Sequence, residues 1–531
     1  MVMLKAKKNA QVNIPKQGLE KGMIHMGNFE TMNLTAKVLD IEAGQNEVVL
    51  SEEEAKQLDL SLLDRVKVKY RNKEVVAIVN YSRYYVKPGE VELMAEVGQA
   101  LGVKTGEKVI IEPTQRPKSL DYIRNKLDGE TLANGEVSAI IHDLMDEKLS
   151  NAELAAFITG VYINEMNTEE TTALTKAIYE TGDKLEFEKG KIIVSEHSIG
   201  GVAGDRVSIL LVPLLASLGI TIPKTCTRAI SSASGTADTM EVFCPVSLSI
   251  QDIKKVVKKT NGCLVWGGAV NMAVADDKLI KIRNPLRLDP KSLLLASILA
   301  KKKSEGATHV LLDIPIGRGA KILEVDKARE LAQDFQSLGA KLGMKVEVLI
   351  TDGSEPISMA IGPGLEALEV LKVLKGSDGL LCEKTCLMAG RVLRMVRGTT
   401  QEEGYRIALH QILSGKVYQK FKEIVAAQGG NPDITEKDIK ISKITSDVAA
   451  EADGKVQHID SKSISRVCRI LGCPSNKTVG MVIHVKTGDK VKKGQKLYTL
   501  YGTSKDKIGF ALEQTKQFPV VEIERIIIET V

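Results

Sequence analysis

The stretch "SEHSIGGVAGDRVS", residues 195–208, has the residue types of a phosphate-binding turn between a strand and a helix. Its glycines let backbone N–H groups approach a ligand, and the start of the following helix adds a partial positive charge. We therefore expect Ser198, Gly200 and Arg206 to contact a phosphate group, although a plain turn that needs glycine explains the spacing equally well. His197 lies in the same loop and is a candidate catalytic residue, whereas an isolated histidine is more often structural.

A second stretch, "RAISSASGTADTMEVF" at residues 228–243, places small hydroxyl side chains behind an arginine. Hydroxyl groups donate hydrogen bonds, glycine gives access to the backbone, and a guanidinium group can grip phosphate with two hydrogen bonds. The alternative is a capped loop, in which Asp238 or Thr239 simply starts a helix. Two such loops in one α/β layer favour an anionic ligand. The polar candidates are Arg228, Ser231, Ser232, Ser234 and Thr236.

Asp289 belongs to a third stretch, "RNPLRLDPKSLLLASILAKKKSEG" at residues 283–306. An Asp-Pro pair is typical of a helix start, with aspartate as the N-cap and proline as the first helical residue. Ser297 and Lys301 follow at helical spacing, so the carboxylate, hydroxyl and ammonium groups project from roughly one face. These groups could line a cleft, but capping is the simpler explanation of Asp289 from the spacing alone.

Lys321 lies in a fourth stretch, "DIPIGRGAKI" at residues 313–322, at the end of a predicted strand. Ligands bind at the carboxyl ends of the strands in parallel sheets, and a loop with glycines and a lysine suits that position. An ordinary exposed lysine is the alternative.

Other function classes lose support from composition and motifs. The 73 Lys and Arg nearly balance the 68 Asp and Glu, and aromatic residues make up 4% of the chain, which argues against a nucleic-acid partner. No GxxxxGK[ST] or GxGxxG motif occurs, which argues against nucleoside-triphosphate hydrolysis and dinucleotide binding. The seven cysteines lack zinc-site spacing, so we expect reduced thiols and no metal. No apolar run is long enough to span a membrane and the N-terminus lacks the apolar block of a signal peptide; we expect a cytoplasmic protein.

The periodicity of the chain predicts four folded parts that position these stretches. Short alternating runs predict a barrel-like β domain at 33–115, behind a loosely ordered extension at 1–32. Helical periods predict a small helical domain at 116–184. Alternating strands and helices predict a large α/β layer with a mainly parallel sheet between 185 and 450. Short strands return at 451–531 and predict a small C-terminal α+β domain.

Three of the stretches together resemble the thymidine/pyrimidine-nucleoside phosphorylase family. The motifs "HSIGGVAGD", "GTADTMEV" and "ASILAKKK" occur in the order that the family has. The segments "AISSASGTADTMEVF", "TNGCLVWGGAVN" and "IGRGAK" are most similar to an archaeal-type branch that acts on nucleoside monophosphates. The resemblance covers about residues 33–531. It implies that the helical domain combines 116–184 with about 284–304, and that the α/β domain comprises 185–283 plus 305–450.

The resemblance implies that AMP, or alternatively CMP or UMP, reacts with phosphate to give the free base and ribose 1,5-bisphosphate. It implies that Asp289 donates a proton to the leaving base, and that phosphate is a co-substrate with no cofactor. It also implies a homo-oligomer, for which the N-terminal domain suggests more than two chains. By the same resemblance, the substrate contacts are Gly201, Thr227, Arg228, Ala229, Ile230, Ser231, Ser232, Thr236, Ser297 and Lys321, with Ser198, Gly200, Arg206 and Lys301 near phosphate.

Glu196 departs from the family pattern, because nucleoside-specific members have a phosphate-contacting lysine at this position. A carboxylate would repel phosphate, so we expect Glu196 to turn away or to be compensated by Arg206 or Lys321.

Three other functions stay open. A thymidine or pyrimidine-nucleoside phosphorylase needs one anion site, and an enzyme similar to anthranilate phosphoribosyltransferase should need Mg²⁺. The tail "VKTGDKVKKGQKLYTL" resembles part of a biotinyl or lipoyl carrier domain, but no modifiable lysine turn precedes it.

Overall fold

The computed structural model describes residues 31–229 and 232–524. The extension expected at 1–32 lies almost wholly outside the described residues, and so do Ile230 and Ser231. The chain divides into two compact units, one up to Arg116 and the other from Pro117 onward.

The first unit is a closed six-stranded barrel with the strand order β1-β5-β2-β4-β3-β6. Side chains that alternate along the strands fill its interior, among them Val48, Leu50, Val66 and Val68. The barrel-like domain predicted from the short alternating runs is confirmed. Its elements are β1 (Met32–Val38), β2 (Glu47–Ser51), α1 (Glu52–Gln57), β3 (Arg65–Tyr70), β4 (Lys73–Ser82), β5 (Glu90–Leu93), α2 (Ala95–Leu101) and β6 (Lys108–Thr114).

The second unit contains the remaining elements. Its strands are β7 (Val194–Ser198), β8 (Ile222–Cys226), β9 (Gly262–Trp266), β10 (His309–Ile316), β11 (Lys345–Asp352), β12 (Ala360–Ile361), β13 (Thr445–Ala449), β14 (Gly454–Ile459), β15 (Gly480–Ile483), β16 (Lys490–Val491), β17 (Lys496–Tyr501) and β18 (Val521–Glu524). Its helices are α3 (Ser119–Leu127), α4 (Asn134–Met145), α5 (Asn151–Asn164), α6 (Thr168–Glu180), α7 (Val207–Ser217), α8 (Thr236–Met240), α9 (Ile250–Thr260), α10 (Val274–Leu286), α11 (Lys291–Ser304), α12 (Val325–Lys341), α13 (Pro363–Leu374), α14 (Leu380–Arg397), α15 (Gln401–Leu413), α16 (Lys416–Ala427), α17 (Ser461–Leu471) and α18 (Lys505–Gln517).

A helical bundle forms from α3 to α6 together with α10 and α11. Its apolar core joins residues from both chain segments, including Phe157 and Leu174 from the first and Leu279 and Ala296 from the second. The second segment enters this core from Ala273 onward, earlier than the boundary at about 284 that the family resemblance implied.

A parallel sheet forms the centre of the α/β domain. Strands β11, β10 and β7 pair in parallel, β8 and β9 pair in parallel, and a bridge between Ile193 and Thr221 links the two groups. The resulting order is β11-β10-β7-β8-β9. Helix α7 is buried around its whole circumference, which explains why its sequence is apolar throughout.

The C-terminal domain combines two small sheets with α17 and α18. The sheets have the orders β12-β15-β17-β13 and β16-β14-β18, and their pairs are antiparallel. Its apolar core also contains Ala203 and Ala233, which belong to the two candidate ligand loops. The predicted fold class, with its mainly parallel sheet and three additional domains, is confirmed.

None of the helices in the described ranges is long and apolar enough to cross a membrane. All seven cysteines are free thiols and buried.

Candidate active site

The glycine loop, residues 198–206, leaves the sheet at the carboxyl end of β7. Ser198 is in register with Asp313 on β10, and its hydroxyl donates to the Asp313 carboxylate over 3.0 Å. The backbone N–H of Gly200 in turn points at the Ser198 hydroxyl over 3.3 Å. Gly200 and Gly201 have φ values of +85° and +100°, a region that favours glycine, so the sequence GG is what allows this turn.

The glycine loop lies directly against the loop that carries Lys321. A Cβ atom added at Gly201 would come within 2.9 Å of the backbone nitrogen of Lys321. Glycine is therefore required here by close approach as well as by φ. The Lys321 side chain is exposed, so its ammonium is available to a ligand at this edge of the sheet.

A buried lysine holds the two ends of the glycine loop. The ammonium of Lys384 on α14 lies 2.9 Å from the carboxylate of Asp205 and 2.7 Å from that of Asp313. The other oxygen of Asp313 accepts a hydrogen bond from the Thr351 hydroxyl over 2.6 Å. Burial and the nearby Asp205 raise the pKa of Asp313, while Lys384 opposes that rise.

The guanidinium group of Arg206 is held by contacts within the protein. Its guanidinium is buried and forms an ion pair of 2.6 Å with Glu366 on α13. It also donates to the backbone carbonyl of Ser234 over 2.6 Å. Arg206 thus connects the glycine loop to the second loop, a contact different from the phosphate contact suggested by the sequence.

The second candidate loop is closed by Asp238. One oxygen of its carboxylate accepts hydrogen bonds from the backbone N–H groups of Ala229 and Gly235, over 2.8 and 2.9 Å. Asp238 does not start the helix, as the alternative explanation had it, because α8 begins at Thr236 after the N-cap Gly235. The exposed side of the loop presents Thr227 and Ser232. Thr236 is half-buried as the first residue of α8.

Arg228 is paired within the protein. Its guanidinium forms two hydrogen bonds with Glu241, at 2.9 and 2.6 Å, and lies 4.8 Å from the ring centroid of Trp266. These contacts lower the pKa of Glu241 to about 2, the hydrogen bond to Arg228 being the main cause. A further ion pair of 2.7 Å joins Glu241 to Lys477 of the C-terminal domain.

Glu196 is turned away from the loop, as its charge requires. Its carboxylate is buried, accepts a hydrogen bond from Ser208 over 2.7 Å, and lies 3.3 Å from the ammonium of Lys224. The compensating cation is Lys224, and the expectation that Arg206 or Lys321 would supply it was wrong. Lys302 also donates to the backbone carbonyl of Glu196, over 3.4 Å.

His197 is held as a neutral imidazole by its surroundings. Burial lowers its pKa well below the ordinary histidine value, and the charges of neighbouring lysines lower it further. The lysines that act on it are Lys302, Lys224, Lys321 and Lys301. Residues of the first, third and fourth stretches are therefore close enough in space to interact.

Asp289 lies at the start of α11 and forms an ion pair of 2.6 Å with Arg283. Its side chain is 51% exposed. The N-cap position of α11 is Pro290 and no side chain caps this helix, so the capping explanation of Asp289 is not what the structure shows.

Ser297 and Lys301 share a face of α11, as their spacing indicated. Both contact one carboxylate oxygen of Asp276 on α10, each over 2.7 Å. Lys301 is also 3.3 Å from Asp277. The two side chains are thus placed together by α10, a partner that the sequence pattern did not reveal.

Several charged residues of the site were missed from the sequence. Most of them lie within helices and strands, where polar residues are not flagged by glycine or by loop chemistry, and Asp205 lies in the glycine loop itself. One signal was present: Asp313 interrupts the apolar strand "HVLLDIPI", and a charge in such a run needs a buried partner. The missed residues are Asp205, Lys224, Lys302, Asp313, Glu366 and Lys384.

Taken together, the loops present exposed hydroxyl and ammonium groups at the carboxyl edge of one parallel sheet. Buried ion pairs behind the loops fix their shape before any ligand arrives. Such preorganised donors stabilise bound anions and negative charge that develops during a reaction. Together with the helical bundle that carries Asp289 and Ser297, this arrangement defines a class of protein that combines a helical bundle with an α/β domain.

Comparisons with known proteins agree with this class. Residues 120–182 match the helical bundle domain of a glycosyl transferase family, and residues 190–418 match its α/β domain. Residues 455–518 match the C-terminal domain of pyrimidine nucleoside phosphorylases. The chain belongs to the pyrimidine nucleoside phosphorylase family, in its AMP phosphorylase branch, which confirms the resemblance noted in the motifs.

Two relatives illustrate the extent of the similarity. An AMP phosphorylase of Pyrococcus horikoshii is 44% identical, with 94% of this chain and 99% of the relative covered. An AMP phosphorylase of Methanococcoides burtonii is 41% identical, with the same coverage of both chains. Among solved structures, an anthranilate phosphoribosyltransferase from Thermus thermophilus aligns with a TM-score of 0.48 at 18% identity, covering 58% of this chain and 99% of that chain.

Proposed function

We propose that this protein catalyses the reaction of AMP with phosphate to give adenine and ribose 1,5-bisphosphate. The observation that carries the proposal is the link made by Arg206 between two anion-type loops at one sheet edge. A nucleoside 5′-monophosphate and inorganic phosphate together bring two phosphoryl groups, and the two loops offer a separate set of donors for each. Relatives named AMP phosphorylase match over nearly the whole chain, which supports the same activity.

In the proposal, inorganic phosphate contacts the glycine loop at Ser198 and Gly200, with Lys301 as a nearby cation. Arg206 takes a positioning role, because its guanidinium is already paired with Glu366. The nucleotide contacts the remaining residues of the two loops and of α11. These are Gly201, Thr227, Arg228, Ala229, Ser232, Thr236, Ser297 and Lys321, together with Ile230 and Ser231 outside the described residues.

The proposed chemistry is attack of a phosphate oxygen on C1′ of the ribose as the bond to the base breaks. The base leaves as an anion unless it is protonated, so a positioned acid accelerates the step by about 10²–10⁴-fold. Asp289 is the proposed proton donor. The ion pair with Arg283 has to open before Asp289 can carry that proton, and the negative charge of the two bound phosphoryl groups favours the protonated carboxyl group.

A comparison of substrates tests the proposal. Purified protein with phosphate is given AMP, CMP, UMP, adenosine or thymidine in separate reactions, and the released base is measured by chromatography. We expect release from nucleoside monophosphates, with AMP as the preferred substrate. Release from thymidine alone would assign the protein to the nucleoside phosphorylases instead.

We propose that the reaction needs no metal or cofactor. We expect full activity in the presence of EDTA; loss of activity that Mg²⁺ restores would instead favour phosphoribosyltransferase chemistry. The seven free cysteines agree with a cytoplasmic location. We also propose a homo-oligomer of more than two chains, and a mass of one or two chains in light scattering would contradict this.

A further inference from the structure

A single buried ammonium group stands between two carboxylates behind the glycine loop. Lys384 contributes the ammonium, and its side chain is 10% exposed, against 13% for Asp205 and 1% for Asp313. Both ion pairs are shorter than 3 Å. Buried charges are stable only when they are paired and hydrogen-bonded, so this arrangement depends on all three groups together.

The cluster of Lys384, Asp205 and Asp313 contacts the glycine loop at both of its ends. At the first end, Ser198 donates to the same Asp313 oxygen that Lys384 contacts. At the other end, Asp205 accepts the backbone N–H of Val207 over 3.3 Å, at the start of α7. Lys384 thereby joins the exit of β7 to the start of α7, and it comes from a helix far along the chain.

The charge balance of the cluster gives Lys384 a second effect. Two carboxylates and one ammonium leave one negative charge in excess under a loop that is proposed to hold an anion. Without the ammonium the excess doubles, and the two carboxylates repel each other as well as a bound phosphoryl group. The geometry of the Ser198 hydroxyl and the affinity for an anion both depend on Lys384 for this reason.

We propose that Lys384 is a positioning residue for anion binding by the glycine loop. It acts through Asp313 on Ser198 and through Asp205 on the end of the loop, and it does not touch the ligand itself. This inference rests on the proposed function, because it assumes that the loop binds a phosphoryl group of one of the two substrates.

The first experiment compares Lys384→Met with Lys375→Met in steady-state kinetics. Lys375 is a matched control, because it directly follows α13 of the same domain and pairs with Glu436 on the surface over 2.8 Å. KM is measured separately for phosphate and for AMP. We expect Lys384→Met to raise one of the two KM values by about 10–100-fold with a much smaller change in kcat, the scale expected when supporting contacts of a binding group are lost.

The substrate whose KM rises identifies the phosphoryl group that the loop holds, and either result supports the inference. Unchanged KM values, or an equal loss of kcat in Lys384→Met and Lys375→Met, would overturn it. If Lys384→Met does not fold, the double variant Asp205→Asn with Lys384→Met restores the charge balance. That variant should fold while its KM stays raised, since the bridge between the loop ends is still missing; a wild-type KM in it would contradict the inference.

A binding measurement separates this inference from the proposed activity. Inorganic phosphate should raise the unfolding temperature of the wild type, and less so that of Lys384→Met, if the loop holds inorganic phosphate; AMP serves as the second probe. A wild-type protein that does not cleave AMP would refute the proposed function alone. Equal stabilisation of wild type and Lys384→Met by both probes would refute the role of Lys384 alone.

Discussion

The carboxylate of Glu196 lies 3.3 Å from the ammonium of Lys224, and both side chains are buried beneath the glycine loop. Lys224 also donates to the backbone carbonyl of Glu196 over 2.6 Å. The negative charge of Glu196, the residue next to His197, is thereby compensated by Lys224 on β8. A carboxylate at this position is compatible with anion binding because its charge is compensated within the protein.

Replacing Glu196 by alanine should destabilise the protein strongly. Lys224 would lose its carboxylate partner in a buried site, which typically reduces the free energy of unfolding by about 3–5 kcal/mol. The double variant Glu196→Leu with Lys224→Met removes both charges and should lose much less. Urea unfolding of both variants measures the difference, and a single variant as stable as the wild type would show that the pair does not support the loop.

Replacing Asp289 by asparagine should lower kcat for AMP by about 10²–10⁴-fold and leave both KM values nearly unchanged, because only protonation of the leaving base is lost. Arg283→Met is the matched control, since it removes the ion-pair partner and keeps the acid. A ribose 5-phosphate with 4-nitrophenol as the leaving group needs no proton and should react equally fast in Asp289→Asn. Equal losses in both variants and with both substrates would indicate a structural role instead.

The lowered pKa of His197 predicts an effect of pH on the stability of the protein. Its pKa in the folded protein is lowered, chiefly by burial, so the unfolded chain binds a proton at a higher pH than the folded chain. Stability is therefore complete above the ordinary histidine pKa of about 6.5 and falls by up to about 1.4 kcal/mol per pH unit below it. Thermal unfolding between pH 5 and 7.5 should show a smaller pH dependence in His197→Gln, and an unchanged dependence would contradict the assignment.

The close contact between Gly201 and the Lys321 loop predicts a position-specific cost for any side chain. Gly201→Ala should be destabilised more than Gly343→Ala, although both glycines have positive φ, because a Cβ atom at Gly343 meets open space. The positive φ alone costs roughly 1–2 kcal/mol in each variant. Calorimetry and the KM for AMP measure the additional effect at Gly201; equal losses in the two variants would argue against the contact.

The sequence predicted the fold class and the positions of the two turn-forming loops because both rest on local patterns. Alternating and helical periods separate the barrel, the bundle and the α/β layer, and the paired glycines at 200 and 201 mark a turn that other residues rarely adopt. The entry of the chain into the bundle at Ala273 was not predicted, because the packing of Ala273, Ala275 and Leu279 against the first helical segment is a tertiary contact.

The electrostatics of the site could not be predicted in the same way. Lys384 is one of several charged residues on a helix, and only the packing of α14 against the sheet brings it between Asp205 and Asp313. Arg206 has a residue type that suits phosphate, yet Glu366, far along the chain, determines where its guanidinium points. Such partners depend on tertiary structure, which residue spacing does not encode.

Ala203 of the glycine loop and Ala233 of the second loop belong to the apolar core of the C-terminal domain. The N–H of Ala203 also donates to the Ser461 hydroxyl of that domain over 3.3 Å. The C-terminal domain therefore packs against both loops, and this structural role differs from that of a mobile carrier domain. A shortened enzyme that ends near residue 450 would lose this support. The catalytic core therefore needs the C-terminal domain to keep both loops in place.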